Sequence, residues 1–233
     1  MNTNNFKKLS KRAKFEIDKL LNNQKQKVFG IGRNKTGTTS LTKAMKELGY
    51  KVGIQRNSEL MVDDWLIKDF RKLIKYCKTA DFFQDIPFSF NYTFIILDQA
   101  FSGSKFILTV RDSAEDWYNS TINFHSKIFG NGNVPPTIED IKNADYIHKG
   151  YFYKLFMKVG NVSENDPYNK ELLIENYNRH TYMVTEYFKY RPDDLLVLNV
   201  GKKGAYTKLC DFLDIKTDKT EFPWENKTEN IPV

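Results

Sequence analysis

Residues 28–41 read Val-Phe-Gly-Ile-Gly-Arg-Asn-Lys-Thr-Gly-Thr-Thr-Ser-Leu and join an apolar strand to an amphipathic helix through a loop that contains glycines. Apolar residues then recur at the spacing of one buried helix face, at Leu41, Ala44, Met45 and Leu48. The helix is therefore expected to begin at Gly37-Thr38-Thr39. Its first turn has backbone N–H groups without partners inside the helix and carries the positive end of the dipole. This arrangement predicts a binding site for a phosphate or sulfate.

The spacing within the loop separates it from two common nucleotide-binding loops. Nucleoside triphosphatases place a lysine directly after the second glycine of G-x-x-x-x-G-K-[ST]. Gly32 and Gly37 have that separation here, but Thr38 follows Gly37 and the lysine is at position 35. The dinucleotide fingerprint G-x-G-x-x-G fails as well, because its third glycine would fall on Lys35.

The segment Lys35-Thr36-Gly37-Thr38-Thr39 resembles the 5′-phosphosulfate loop of the sulfotransferases, which use 3′-phosphoadenosine-5′-phosphosulfate as co-substrate. The resemblance implies that this loop binds the donor through Arg33, Asn34, Lys35, Thr36, Gly37, Thr38 and Thr39. The alternative is an ordinary strand-turn-helix connection that binds no ligand.

A second segment follows the clearest buried strand, Lys105–Val110, which delivers Arg111 to the carboxyl edge of the predicted sheet. Ser113 is expected to cap the next helix, and Ser120 lies on that helix, close enough to share one phosphate with Arg111. The run from Arg111 to Ser120 resembles the second sulfotransferase motif, which binds the 3′-phosphate, although proline usually occupies the position of Ser113. The alternative is a surface ion pair and an ordinary helix serine.

The end of the chain resembles the same family. Residues 201–215 are similar to its turn and Leu-Cys-x-Phe-Leu-Gly helix, with Asp214 where glycine is usual, and Glu221-Phe222-Pro223-Trp224-Glu225-Asn226 is similar to its tail. The resemblance covers residues 27–227. Lys203 and Gly204 are candidates for closing around the 3′-phosphate, and a solvated basic turn is an equal alternative.

Three residues are candidates for catalysis. Lys35 is expected to neutralise charge on the leaving phosphate without a metal. Asp85 follows a predicted strand in Asp81-Phe82-Phe83-Gln84-Asp85-Ile86-Pro87, where the family places Asp-x-Pro, and is the preferred general base. Asp85 as the cap of a helix over 88–101 is the alternative. His125 is the second candidate base, although it lies on the helix that carries Ser120.

Strands alternating with helices predict an α/β fold with three layers, α/β/α, around a central parallel sheet, and the resemblance implies the P-loop nucleoside-kinase-like architecture. With 233 residues, the chain is expected to form an N-terminal helical arm over 1–26 and one domain over 27–233 with a lid-like insertion at about 131–166. The lid contains no motif that identifies the acceptor.

The composition and charge of the chain restrict the classes of function that are expected for it. The net charge of +7 favours an anionic ligand, but the basic residues are dispersed and show no motif of a nucleic-acid-binding protein. The polar, lysine-rich residues 1–21 have no apolar core of a signal peptide, and no run is long enough to span a bilayer. Cys77 and Cys210 lack the spacing of a metal site. A cytoplasmic protein without a metal site is expected.

These patterns favour a sulfotransferase that transfers a sulfuryl group to a hydroxyl or amine of a small-molecule or carbohydrate acceptor. Two alternatives remain at this point: a nucleotide-dependent kinase on the same fold, and a nucleotide-binding protein without catalytic activity. The kinase would need a lysine after Gly37, which the sequence lacks. The oligomeric state is not predicted.

Overall fold

The computed structural model describes residues 26–223, which form a central sheet of four parallel strands covered by helices. The strands are β1 (Val28–Gly30), β2 (Phe82–Gln84), β3 (Lys105–Thr109) and β4 (Leu195–Leu198). Their order in the sheet is β2-β1-β3-β4, with Phe29 beside Phe83 on one side and beside Phe106 on the other. The predicted α/β fold with a central parallel sheet is confirmed.

Helices connect and cover these strands, and their bounds are α1 (Thr38–Glu47), α2 (Gln55–Glu59), α3 (Val62–Leu66), α4 (Arg71–Tyr76), α5 (Thr93–Ala100), α6 (Ala114–Phe129), α7 (Ile138–Asn143), α8 (Tyr151–Leu155), α9 (Lys170–Phe188) and α10 (Ala205–Phe212). A π-helical turn, Phe156–Gly160, continues α8, and a 3₁₀ turn, Pro192–Asp194, precedes β4.

Alternating strand residues build a core on each face of the sheet, as the period of a β-strand requires. On one face, Val28, Phe82 and Ile107 pack with the apolar sides of α1 and α10. On the other face, Phe29 and Phe106 pack with α5 and α9. Helix layers on both faces therefore bury the sheet, which explains why the strands are nearly continuous apolar runs.

The strand order brings four loops to one edge. Because all strands are parallel, the segments after β1, β2, β3 and β4 leave the sheet at the same side. The chain runs outward from β1 to β2 and returns on the opposite side of β1 as β3. In open α/β sheets ligands bind at the carboxyl ends of the strands beside such a switch, and the two predicted anion-binding segments follow β1 and β3.

Three predicted elements differ from the structure. Residues 50–54 make only an isolated bridge, from Val52 to Phe82, because the chain turns into α2 at once. The predicted helix over 63–77 is two helices, α3 and α4, which are interrupted at Lys68 with φ of 64°. The predicted helix over 88–101 begins only at Thr93, after the turn that follows Pro87.

The segment predicted as a lid contains α7, α8 and the π-helical turn. It packs on α6 and α9 through a cluster that includes Phe129, Ile141 and Tyr177. Its action as a lid stays a prediction. The predicted N-terminal arm lies outside the described residues. Within residues 26–223, no helix combines the length and apolarity that crossing a membrane requires.

Candidate active site

The loop after β1 is fixed to the sheet by its own backbone and by one hydroxyl. Ile31 N donates to Ile107 O at 2.9 Å. A Cβ at Gly32 would lie 2.1 Å from Thr109 Oγ1, so only glycine allows the loop to pass this close to β3. Thr36 is buried, and its Oγ1 lies 2.6 Å from Thr109 Oγ1 and donates to Arg33 O. These contacts hold the Thr36 hydroxyl within the loop, and the role of Thr36 in donor binding stays a prediction.

Gly37 begins α1 in a conformation that few other residues adopt. Its φ is 96°, and a Cβ at this position would lie 2.2 Å from Val200 Cγ2. As the N-cap residue, Gly37 has no side chain with which to cap the helix. The first N–H groups of α1, from Thr38 onward, therefore have no partner within the helix and point to the same edge of the sheet as the other loops. This is the cradle expected for an anion.

Arg111 joins the segment after β3 to the loop after β1. Its Nε donates to Lys35 O at 2.6 Å, and its Nη2 donates to Ser120 Oγ at 3.3 Å. Its backbone N donates to Tyr177 Oη on α9 at 3.0 Å. Ser113 caps α6 as predicted, because its Oγ accepts from Asp116 N at 3.0 Å. The structure thus brings together the two segments that the sequence assigns to anion binding.

Lys35 is partly buried at the centre of these contacts. Its φ of 65° lies in the left-handed region, which turns the loop, and its Nζ lies 3.6 Å from the centroid of the Phe124 ring. Burial, together with repulsion from Arg111, lowers the pKa of Lys35 to about 8, although attraction to Asp85 opposes the shift. An ammonium held in such surroundings is stabilised by any anion that binds beside it.

Asp85 follows β2 at the same edge, also in the left-handed region with φ of 66°. Its Oδ1 accepts from Ile86 N at 2.9 Å, and its backbone carbonyl accepts from Ser89 N. The alternative prediction of a helix cap is wrong, because α5 begins eight residues later. Burial and the charge of Glu59 raise the pKa of Asp85 to about 6, although Ile86 N and Lys35 oppose the shift.

His125, the second candidate base, is 4% exposed on α6. Its Nδ1 lies 3.0 Å from Tyr168 Oη, and its ring packs against Phe129 and Phe156. Burial and the charge of Lys35 lower its pKa to about 3, so the ring is neutral at pH 7. These contacts are those of a packed core histidine.

A cavity of about 280 Å³ connects these groups. It is lined by the loop and the start of α1 (Asn34, Lys35, Gly37, Thr38, Thr39, Ser40), by Gln55, Glu59, Asp85, Ile86 and Arg111, and by Phe124, His125, Ile128, Tyr146 and Phe152. The structure therefore places the three candidate catalytic residues on one cavity, together with Arg111 and most of the loop.

Several predicted ligands do not line this cavity. The Arg33 guanidinium donates instead to Ser89 O at 3.0 Å and to Asn91 Oδ1 at 2.8 Å. Burial and repulsion from Arg179 lower its pKa to about 10. Ser120 contacts Arg111, which lines the cavity, but does not line the cavity itself. Their roles in donor binding stay predictions.

Lys203 and Gly204 lie on the turn after β4, which approaches the loop from the other side. Lys202 Nζ pairs with Asp112 Oδ1 at 2.6 Å, and Val200 contacts Gly37. Lys203 is exposed, and Gly204 begins α10 with φ of 75°. The turn is thus adjacent to Arg111, where a 3′-phosphate is expected, and its role stays a prediction.

Among the residues that line the cavity, sequence reasoning missed Gln55, Glu59, Phe124, Tyr146 and Phe152. They belong to short or aromatic segments without a motif, and only the packing of α2, α6 and the predicted lid brings them to the sheet edge. Glu59 is 2% exposed although it is charged. Charged residues are seldom so buried, which makes Glu59 a functional candidate that the sequence alone does not reveal.

The residues present fit an anionic nucleotide donor. The open helix start at Gly37, the Lys35 ammonium and the Arg111 guanidinium converge, and Trp117 Nε1 fixes the loop by donating to Asn34 O at 3.0 Å. Among residues 26–223, no group of three or more histidine, cysteine or acidic side chains is arranged to hold a metal ion.

A family model described as a sulfotransferase domain matches residues 27–231 of this chain. No curated protein matches this chain. The matched range includes the Lys35 loop, Asp85 and the Arg111 segment, which are the elements that build the cavity.

Proposed function

This chain belongs to the sulfotransferase family, and we propose that it transfers the sulfuryl group of 3′-phosphoadenosine-5′-phosphosulfate to a hydroxyl or amine of a small acceptor. The observation that carries the proposal is the 2.6 Å bond from Arg111 Nε to Lys35 O, because it holds the two anion-binding segments at one cavity. The two segments supply positive groups for the two ends of a 3′,5′-substituted nucleotide.

Two groups of residues bind the two ends of the donor. The first N–H groups of α1 and the hydroxyls of Thr38 and Thr39 bind the 5′-phosphosulfate, which their position on the cavity supports. The Arg111 guanidinium and Ser120 Oγ bind the 3′-phosphate, which the contact of 3.3 Å between Arg111 Nη2 and Ser120 Oγ supports. A guanidinium binds a phosphate with two parallel hydrogen bonds.

Bound in this way, the donor supplies an activated sulfuryl group on a phosphate leaving group. The Lys35 ammonium stabilises the charge that develops on the leaving oxygen. Because the folded loop already holds this ammonium in position in a partly buried site, the protein does not have to reorganise as the charge forms. Asp85 accepts the proton of the acceptor, and its raised pKa of about 6 makes it a stronger base than an ordinary aspartate while it remains ionised at pH 7.

The kinase alternative is disfavoured by one observation on the loop. A nucleoside triphosphatase loop requires a lysine directly after its second glycine, and Thr38 occupies that position here. The lysine of this loop, Lys35, precedes Gly37 and lines the cavity. A strict requirement for magnesium, lost on adding EDTA, is the result that would favour the kinase.

The proposal is tested by isothermal titration calorimetry with 3′-phosphoadenosine-5′-phosphate, ATP, GTP and NAD, followed by a sulfuryl-transfer assay with a panel of acceptors. We expect the bisphosphate to bind most tightly. Equal affinity for ATP contradicts the donor assignment. Tight bisphosphate binding without transfer to any acceptor supports the non-catalytic alternative. A small-molecule or carbohydrate acceptor and a cytoplasmic location belong to this proposal.

A further inference from the structure

Helix α2 carries a buried carboxylate to the acceptor side of the cavity. Ser58 Oγ donates to Ile86 O at 2.9 Å and so ties α2 to the turn that contains Asp85. Tyr151 Oη donates to Glu59 O at 3.2 Å from the opposite side. These two bonds hold Glu59 against the cavity, one through the side chain of the neighbouring Ser58 and one through the Glu59 carbonyl.

One oxygen of Glu59 is fully engaged and the other is free. Glu59 Oε1 accepts from Gln55 Nε2 at 2.8 Å and from Tyr146 Oη at 2.9 Å. Within residues 26–223, Glu59 Oε2 has no hydrogen-bond or ion-pair partner, although the residue is 2% exposed and lines the cavity. Because Glu59 lines the cavity and its Oε2 is not one of the fully enclosed polar atoms without a partner, this oxygen faces the cavity and can accept a hydrogen bond from a ligand that supplies a donor.

The charges of the cavity are divided between its two sides. Lys35 and Arg111 lie on the side of the β1 loop, where the proposed donor needs them. Glu59 and Asp85 lie on the other side, and the Glu59 charge contributes to the raised pKa of Asp85. A second anion on this side would be repelled by both carboxylates, whereas a cation would reduce their mutual repulsion.

The walls of this side suit a cation as well. Tyr146 and Phe152 line the cavity, with their ring centroids 5.2 Å apart. Aromatic faces attract cations, and the Arg56 guanidinium already lies over the Tyr146 ring, 5.3 Å from its centroid. The rings also provide apolar contact for the carbon skeleton of a ligand. The buried carboxylate and the aromatic walls thus favour the same class of ligand.

We propose that the acceptor carries an ammonium group, which donates to Glu59 Oε2 beside the nucleophile that Asp85 deprotonates. This inference rests on the proposed function, whose group transfer it leaves unchanged. Glu59 is then the residue that selects a cationic acceptor over a neutral or anionic one of the same shape.

Three probes with one phenol nucleophile test the inference: tyramine, which is a cation, 4-ethylphenol, which is neutral, and 3-(4-hydroxyphenyl)propionate, which is an anion. Calorimetry measures their binding with and without saturating 3′-phosphoadenosine-5′-phosphate. Since a hydrogen bond to a charged group is involved, we expect tyramine to bind at least about tenfold more tightly than 4-ethylphenol. The propionate is expected to bind most weakly.

The variant Glu59→Gln keeps the size of the side chain and removes its charge, so we expect it to bind tyramine and 4-ethylphenol within about twofold of each other. Glu186→Gln is the matched control, because Glu186 pairs with Lys189 on the surface and lies outside the cavity. It is expected to keep the tyramine preference. If Glu59→Gln does not fold, the comparison of the three probes on the wild type still decides.

Two results overturn the inference: a wild type that does not bind tyramine more tightly than 4-ethylphenol, or a folded Glu59→Gln variant that keeps the preference. Titration with the bisphosphate alone tests the proposed function separately. A protein that binds the bisphosphate but shows no tyramine preference refutes only the acceptor inference. A protein that prefers tyramine through Glu59 but does not bind the bisphosphate refutes only the donor.

Discussion

Arg111 Nε donates to the backbone carbonyl of Lys35 at 2.6 Å, across 76 residues of sequence. The bond uses the main chain of Lys35 and leaves its ammonium for the cavity. It also orients the Arg111 fork, because Nη2 is then directed to Ser120 Oγ. One arginine thus positions the lysine loop while its remaining N–H groups are available to an anion.

Replacing Arg111 by alanine should lower the affinity for 3′-phosphoadenosine-5′-phosphate at least about tenfold, because a hydrogen bond to a charged group contributes about 1.5–3 kcal/mol. The affinity for ATP, which has no 3′-phosphate, should fall less. Ser120→Ala should have a smaller effect, since its contact is long at 3.3 Å. Calorimetry measures both, with Arg71→Ala as control, because Arg71 pairs with Asp69 on the surface.

Lys35→Ala should lower turnover at saturating donor by about 10²–10³ and weaken nucleotide binding much less, because the ammonium acts mainly on charge that develops in the transition state. The Arg111 bond survives because it uses the Lys35 main chain. Lys46→Ala, an exposed change on α1, is the control. If steady-state kinetics show unchanged turnover in Lys35→Ala, Lys35 has no role in catalysis.

The pH profile of kcat/KM should be a bell. Asp85 must be ionised to accept a proton, so the rate rises as pH increases through about 6, the raised pKa set by burial and Glu59. Lys35 must be protonated, so the rate falls as pH increases through about 8, the pKa lowered by burial and Arg111. Asp85→Asn should lower the rate by about 10²–10⁴ and remove the acidic limb. An unchanged acidic limb in that variant would show that another group is the base.

Asp85→Asn should also stabilise the protein at neutral pH. The folded state holds the Asp85 proton more tightly than the unfolded state, because burial and Glu59 raise its pKa from 3.8 to about 6. The stability of the wild type therefore falls as pH rises through that window, and the loss persists above it. Asparagine tolerates the left-handed backbone at this position. The raised pKa corresponds to about 3 kcal/mol, and about 1 kcal/mol moves the melting temperature of a domain of this size by about 2–4 °C. Scanning calorimetry should therefore give a melting temperature about 6–12 °C higher at pH 7.5 and little difference near pH 4.

His125→Ala should act on stability. It removes a buried ring that packs on Phe129 and Phe156, and it leaves Tyr168 Oη without its partner. Large-to-small changes in a core cost about 2–5 kcal/mol, so the midpoint of urea unfolding should fall. Tyr168→Phe removes only the hydrogen bond and serves as the milder comparison. If His125→Ala keeps its stability but loses transfer, while Asp85→Asn keeps full activity, the histidine is the base.

The sequence by itself determined the fold class and pointed to the two segments that we propose bind the donor. Local patterns suffice for these features: an apolar strand, a glycine loop and a helix face around Lys35, and a buried strand ending at Arg111. Once the strands are parallel, topology alone brings their carboxyl ends to one edge. Ser113 as the cap of α6 was equally readable, because a cap depends on residues three positions apart.

Only the tertiary structure decided the direction of individual side chains and the position of Glu59 beside Asp85 on the cavity. Arg33 lies within the recognised loop, yet its guanidinium bonds Ser89 and Asn91 instead of lining the cavity. Glu59 lies in a short polar helix without a motif, and the tie from Ser58 to Ile86 brings it beside Asp85. Such contacts join residues far apart in sequence, and no local periodicity encodes them. For the same reason, the pKa values of Lys35 and Asp85 follow from burial and neighbours that exist only in the folded chain.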